Sequence, residues 1–66
     1  MAKFQIYTDA KGEYRWRFRA NNNKIVADSA EGYVNKSDCK DGIEIVKNQA
    51  ATATVDDETA IAAKRY

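Results

Sequence analysis

EYRWRFRA, residues 13–20, alternates two kinds of side chain: Tyr14, Trp16, Phe18 and Ala20 at even positions, Glu13, Arg15, Arg17 and Arg19 at odd ones. Successive side chains of a strand point to opposite faces, so the stretch reads as a β-strand with one apolar and one cationic side. Such a strand belongs in an antiparallel sheet covered on one face and open on the other. The rest of the chain must supply its neighbours and its cover.

Upstream, KFQIYT (residues 3–8) sets Phe4 and Ile6 on one side and Lys3, Gln5 and Tyr7 on the other, which is a first strand. DAKG (residues 9–12) joins the two, with Asp9 able to bond the turn backbone and Gly12 able to take positive φ. Downstream, NNNK (residues 21–24) is a second turn, because Asn tolerates the left-handed region better than most residues. IVADS (residues 25–29) then gives a third strand with Ile25 and Ala27 on one face. The three form a meander.

Beyond residue 34 the period changes. Cys39, Gly42, Ile43, Val46 and Ala50 recur every three or four positions, as one face of a helix does. Asn35 or Ser37 suits its N-cap, Asp38 and Asp41 its positive end, and Lys47 its negative end. Gly42 costs about 1 kcal/mol relative to Ala inside a helix, which calls for a packing reason: a close approach of the helix to the sheet over Trp16. ATATVDD (residues 51–57) alternates weakly, Ala53 and Val55 against Thr54 and Asp56, and reads as a short fourth strand. The fold class is therefore α+β, in the order β-β-β-α-β, with one helix on one face of the sheet. Residues 1–57 make a single domain and residues 58–66 a C-terminal tail, a helical turn or a disordered end.

A chain of 66 residues buries only about 60% of the surface its unfolded form exposes. Domains this small are usually reinforced by disulfides, a metal or oligomerisation. With one Cys and no His, neither an intrachain disulfide nor a usual zinc or haem site can be built. Oligomerisation is what remains. The sequence has no apolar run long enough to span a membrane and no signal-peptide pattern, so a cytoplasmic location is expected, and Asn35-Lys36-Ser37 is read as a helix start rather than a glycosylation site. Net charge is only +1, but residues 1–24 hold six basic and two acidic side chains, while residues 25–66 hold five basic and eight acidic. That asymmetry suits an acidic partner, or a second copy of the chain.

Few residues form a site. Arg15, Arg17 and Arg19 lie about 6 to 7 Å apart along one strand face, and with Tyr7 as a stacking ring they could hold nucleic acid. The simpler reading is a solvated face whose arginines pair across strands with Glu13, Lys3 or Gln5. The amide-rich helix start near Asn35, Lys36 and Ser37 could take a small anionic ligand, but Asp38 and Asp41 oppose it, and Gly32 and Tyr33 read more simply as a turn and a packed ring. Cys39 sits on the apolar helix face with no His in the chain to act as its base, so it is core rather than nucleophile. Asp56, Asp57 and Glu58 read as a solvated end rather than a cation site. Tyr14, Trp16 and Phe18 read as core under the helix. No nucleophile, base and metal come together, so neither enzymatic activity nor a cofactor is expected.

One resemblance rests on specific residues. Gly12, Tyr14, Trp16 and Arg17, then Ala20, Asn21 and Ser29, then Glu31-Gly32-Tyr33, Lys36, Gly42, Ile43, Val46, Lys47 and Asn48 together resemble the YegP-like (UPF0339-type) family of small domains of unknown function. The match covers residues 3 to about 56, and departs from the family pattern in the acidic helix start and the tail after Asp57. The resemblance implies a β-β-β-α-β unit that, as a single copy, forms a homodimer with one continuous sheet and exchanged C-terminal strands, here Ala53, Thr54, Val55 and Asp56. It brings no catalytic residue, cofactor or ligand with it.

Overall fold

In the computed structural model, which describes residues 1–59, three strands and one helix form in the expected order. β1 (Lys3–Thr8), β2 (Tyr14–Arg19) and β3 (Ile25–Asp28) make an antiparallel sheet in the order β1-β2-β3, with β2 in the centre. The helix α1 (Lys36–Gln49) packs on β2, and a 3-10 turn, Ala50–Thr52, prolongs it.

Turn chemistry fixes the register. In the first hairpin the Asp9 carboxylate accepts the amides of Lys11 (2.9 Å) and Glu13 (3.0 Å), and Gly12 takes a φ of 81°. That conformation suits a residue without Cβ. The pairing it sets, Phe4 with Phe18 and Ile6 with Trp16, brings the apolar side chains of β1 and β2 to one face. In the second turn Asn23 takes a φ of 67°, and the Ala20 amide donates to the Lys24 carbonyl at 2.9 Å.

The third strand departs from the expected alternation. A register shift between Phe18 and Arg19 pairs Phe18 with Ala27 but Arg19 with Ile25. Ile25 is thus taken off the face it was expected to share with Ala27, and it is 53% exposed. An irregularity of one residue is enough to do this, because strand side chains have a period of two. Ser29, just past the strand, takes over at the closed end: its amide donates to the Trp16 carbonyl (2.8 Å) and its Oγ accepts the Trp16 amide (3.1 Å). Further along, Tyr14 and Tyr33 exchange two backbone hydrogen bonds of 2.8 Å, tying the loop before α1 to β2.

Trp16, Cys39 and Ile43 are the buried apolar centre, with Phe4, Ile6, Tyr14, Phe18, Tyr33 and Val46 half-buried against them. Phe4 meets Trp16 edge-on at 5.6 Å between centroids and lies tilted on Phe18 at 4.9 Å, the arrangements aromatic quadrupoles favour. A Cβ placed on Gly42 would lie 2.7 Å from the Tyr33 hydroxyl and 3.5 Å from Trp16 Nε1. The close approach is therefore made to Tyr33, while Trp16, the neighbour expected from the sequence, stands at ordinary contact distance.

The helix begins at Asn35, whose backbone is extended as an N-cap requires, but whose side chain makes no capping bond; its amide instead donates to Asp38 at 3.4 Å. The expected fourth strand does not form within the single chain. Residues 53–57 form no strand and have no ladder partner among the described residues, and Val55 is 93% exposed. The tail expected over residues 58–66 lies outside the described residues beyond Thr59.

Candidate functional site

The odd face of β2 carries the three arginines, and each has a partner inside the fold. Arg15 Nε donates to Asp9 Oδ2 at 2.7 Å, the Arg17 guanidinium lies 4.0 Å above the centre of the Tyr7 ring, and Arg19 Nε donates to Gln5 Oε1 at 2.7 Å. None of these partners is the residue directly opposite. Across the ladder Arg15 faces Tyr7, Arg17 faces Gln5 and Arg19 faces Lys3. Each arginine instead reaches two residues further along the chain from its opposite number, Arg17 and Arg19 to Tyr7 and Gln5 on β1 and Arg15 to Asp9 in the turn just past it, a uniform diagonal lean that long side chains can span. Arg19 Nη1 also donates to the Asn23 carbonyl at 2.8 Å, which anchors the row at the second turn.

The Asp9–Arg15 pair has an electrostatic consequence. The Arg15 hydrogen bond, aided by the Glu13 amide, holds the Asp9 carboxyl below its usual range, and Asp9 in turn raises Arg15. Asp9 thus ties together the turn and the first arginine. The pairing expected with Gln5 is present through Arg19, while Glu13 turns away: its carboxylate and Cβ crowd Gly32, the Cβ at 2.8 Å from where a side chain there would start. Tyr7 does not lie open as a stacking ring, because Arg17 already covers it.

On the other face the cover is partial. Beside Trp16, between the sheet and the end of the helix, lies an apolar groove of about 340 Å³ lined by Phe4, Phe18, Ala27, Val46, Lys47 and Ala50. Lys47 pairs with Glu44 at 3.6 Å. The groove could not be read from the sequence, because periodicity marks these residues as apolar without saying how far they are covered.

The remaining candidates do not converge. Tyr33 is packed at Gly42 and bonded to Tyr14, so the helix start keeps Asn35, Lys36 and Ser37 exposed beside Asp38. Cys39 is fully buried and its thiol pKa is pushed up by that burial, the opposite of an activated nucleophile. Asp57 accepts from the amide and hydroxyl of Thr59, and Asp56 and Glu58 are exposed. Among the described residues no group of three His, Cys, Asp or Glu side chains could hold a metal ion, and no helix is long and apolar enough to cross a membrane.

Known proteins share this fold at high identity. The chain is 46% identical over 52 residues to a UPF0339 protein of Neisseria meningitidis serogroup B, covering 79% of this chain and 91% of that protein. It is 43% identical over 63 residues to a UPF0339 protein of Agrobacterium fabrum, covering 96% of this chain and 100% of the relative. The solution NMR structure of a protein from Haloferax volcanii superposes with a TM-score of 0.79 at 46% identity, covering 85% of this chain and 93% of that one. A solution structure from Agrobacterium tumefaciens gives a TM-score of 0.75 at 43% identity, covering 92% and 97%. The names of these relatives describe no reaction. A family model described as a domain of unknown function, DUF1508, matches residues 9–57, and with it the chain belongs to that family.

Proposed function

We propose that this protein is a homodimeric interaction module without catalytic activity, in which each copy lends the segment Ala53–Asp56 to its partner as an exchanged strand. The carrying observation is the apolar groove of about 340 Å³ beside the end of α1, which leaves Phe4, Phe18 and Val46 only half-buried. A second copy bringing apolar side chains there removes that surface from water, at roughly 25 cal/mol per Å².

Two further features support the reading. The segment that follows the helix carries Val55, 93% exposed, and has no ladder partner among the described residues. The outer edges of β1 and β3 are unpaired by any described strand, and a strand from a second copy would cap one of them. The exchange also supplies the reinforcement that a chain with one cysteine and no histidine cannot obtain otherwise.

Sedimentation of the full chain and of a chain ending after Thr52 tests this. The full chain sediments as a dimer and the shortened one as a monomer or aggregate with lower stability. A shortened chain that stays dimeric and equally stable overturns the exchange.

A further inference from the structure

We infer that the open face of the sheet binds single-stranded nucleic acid, with the Arg17 guanidinium, laid on Tyr7, as the plane on which a base stacks and with Arg15 and Arg19 holding the flanking phosphates. Three observations on one strand carry this. Alternate residues of β2 stand about 6.6 Å apart, comparable with the separation of successive phosphates along an extended strand. The middle guanidinium lies over the Tyr7 ring, its central carbon 4.0 Å from the centroid, and a guanidinium plane is one of the surfaces on which unpaired bases stack. The outer two are fixed through Nε, by Asp9 and by Gln5, so among the described residues both terminal nitrogens of Arg15 and Nη2 of Arg19 stand outside the fold's own hydrogen bonds.

The internal partners aid binding rather than preclude it. An arginine already held in one geometry loses less side-chain freedom on meeting a phosphate. Carboxylates limit the strength: Asp9 holds Arg15, and Asp28 stands directly across from Arg17 on β3. With Lys3 opposite Arg19, the face carries four cations against these two anions and Glu13, whose charge also acts on Arg15. Binding is therefore salt-sensitive and sequence-tolerant. An acidic protein segment would satisfy the charges but has no use for the stacked plane, so nucleic acid is the better fit. The inference does not rest on dimerisation, since each copy carries the whole row.

The test is fluorescence anisotropy of the full chain with a labelled oligouridine of about ten nucleotides and, separately, a labelled oligoglutamate peptide. Two phosphate contacts predict about a sevenfold loss of affinity for the RNA between 50 and 200 mM salt. R17K, which keeps the charge and removes the plane, loses about fivefold or more while keeping the salt dependence. R19Q lowers the slope of log affinity against log salt by about 0.7. Amide NMR spectra verify that both variants keep the fold. The inference is overturned if no binding is seen at low salt with protein up to about 100 μM, or if R17K binds as tightly as wild type. It is also overturned if the glutamate peptide binds as tightly as the RNA, which would give the face to acidic proteins.

Discussion

The hydroxyl of Tyr33 lies 2.7 Å from where a Cβ on Gly42 would stand, so the helix meets the loop before it at a point that admits only a hydrogen. G42A gains about 1 kcal/mol of helix propensity and must displace a ring that is also bonded through its backbone to Tyr14. Overpacking of this kind costs about 1 to 3 kcal/mol, so urea unfolding shows a net loss for G42A. Adding Y33F removes the nearest atom and leaves Cζ at 3.3 Å. The double variant is thus more stable than G42A alone, a coupling that a double-mutant cycle reads directly.

Ser29 is 5% exposed and completes the bonding of the central strand, its Oγ accepting the Trp16 amide at 3.1 Å. S29A leaves a buried N–H without its acceptor. A loss of about 1 to 3 kcal/mol follows, together with faster hydrogen exchange at the Trp16 amide than at the other amides of β2. Unchanged exchange at that amide would show that the hydroxyl is dispensable.

The single thiol reports on opening of the core. Cys39 is fully buried and burial raises its pKa, so a thiol reagent reacts slowly with the native chain. Labelling accelerates with denaturant in step with global unfolding. C39S places a hydroxyl among Trp16 and Ile43 and destabilises by about 1 to 3 kcal/mol.

Asp9 gives the hairpin a pH dependence whose sign is fixed. Its carboxyl is held below the usual value, first by the Arg15 hydrogen bond and then by the Glu13 amide. A group with a depressed folded pKa stabilises above its unfolded pKa of about 3.9 and loses that contribution as pH falls through the folded value. Stability of the wild type therefore drops on acidification below about pH 4 more steeply than that of D9N. The pair is only partly buried, with Asp9 18% and Arg15 32% exposed, so added salt shrinks the difference. Parallel acid titrations of Tm for the two proteins check this.

Much of the fold was legible because it is local. The even-odd alternation of residues 13–20 gave β2 and its apolar face, the Asp9 and Gly12 chemistry gave the first hairpin, and the three-four spacing from Cys39 gave the helix and its close approach at Gly42. The misplaced face of Ile25 shows where locality ends, since the register shift depends on how β3 meets β2 and not on the composition of IVADS. ATATV alternates too weakly to dictate a strand by itself, and within one chain it joins no edge among the described residues.

For the arginine face the division is similar. The sequence by itself determined that Arg15, Arg17 and Arg19 share one side of a strand, because a period of two leaves no other arrangement. Only the tertiary structure decided that each leans to the diagonal neighbour, on β1 or in the turn just past it, which turns three equivalent cations into an ion pair, a stacked plane and an amide-bound end. Likewise the sequence marked Phe4, Phe18, Val46 and Ala50 as apolar, while only the packing of helix on sheet decided that a groove stays open between them. Periodicity fixes the direction of a side chain relative to its own backbone. What that side chain meets depends on register and interlayer spacing, which contacts distant in the chain set.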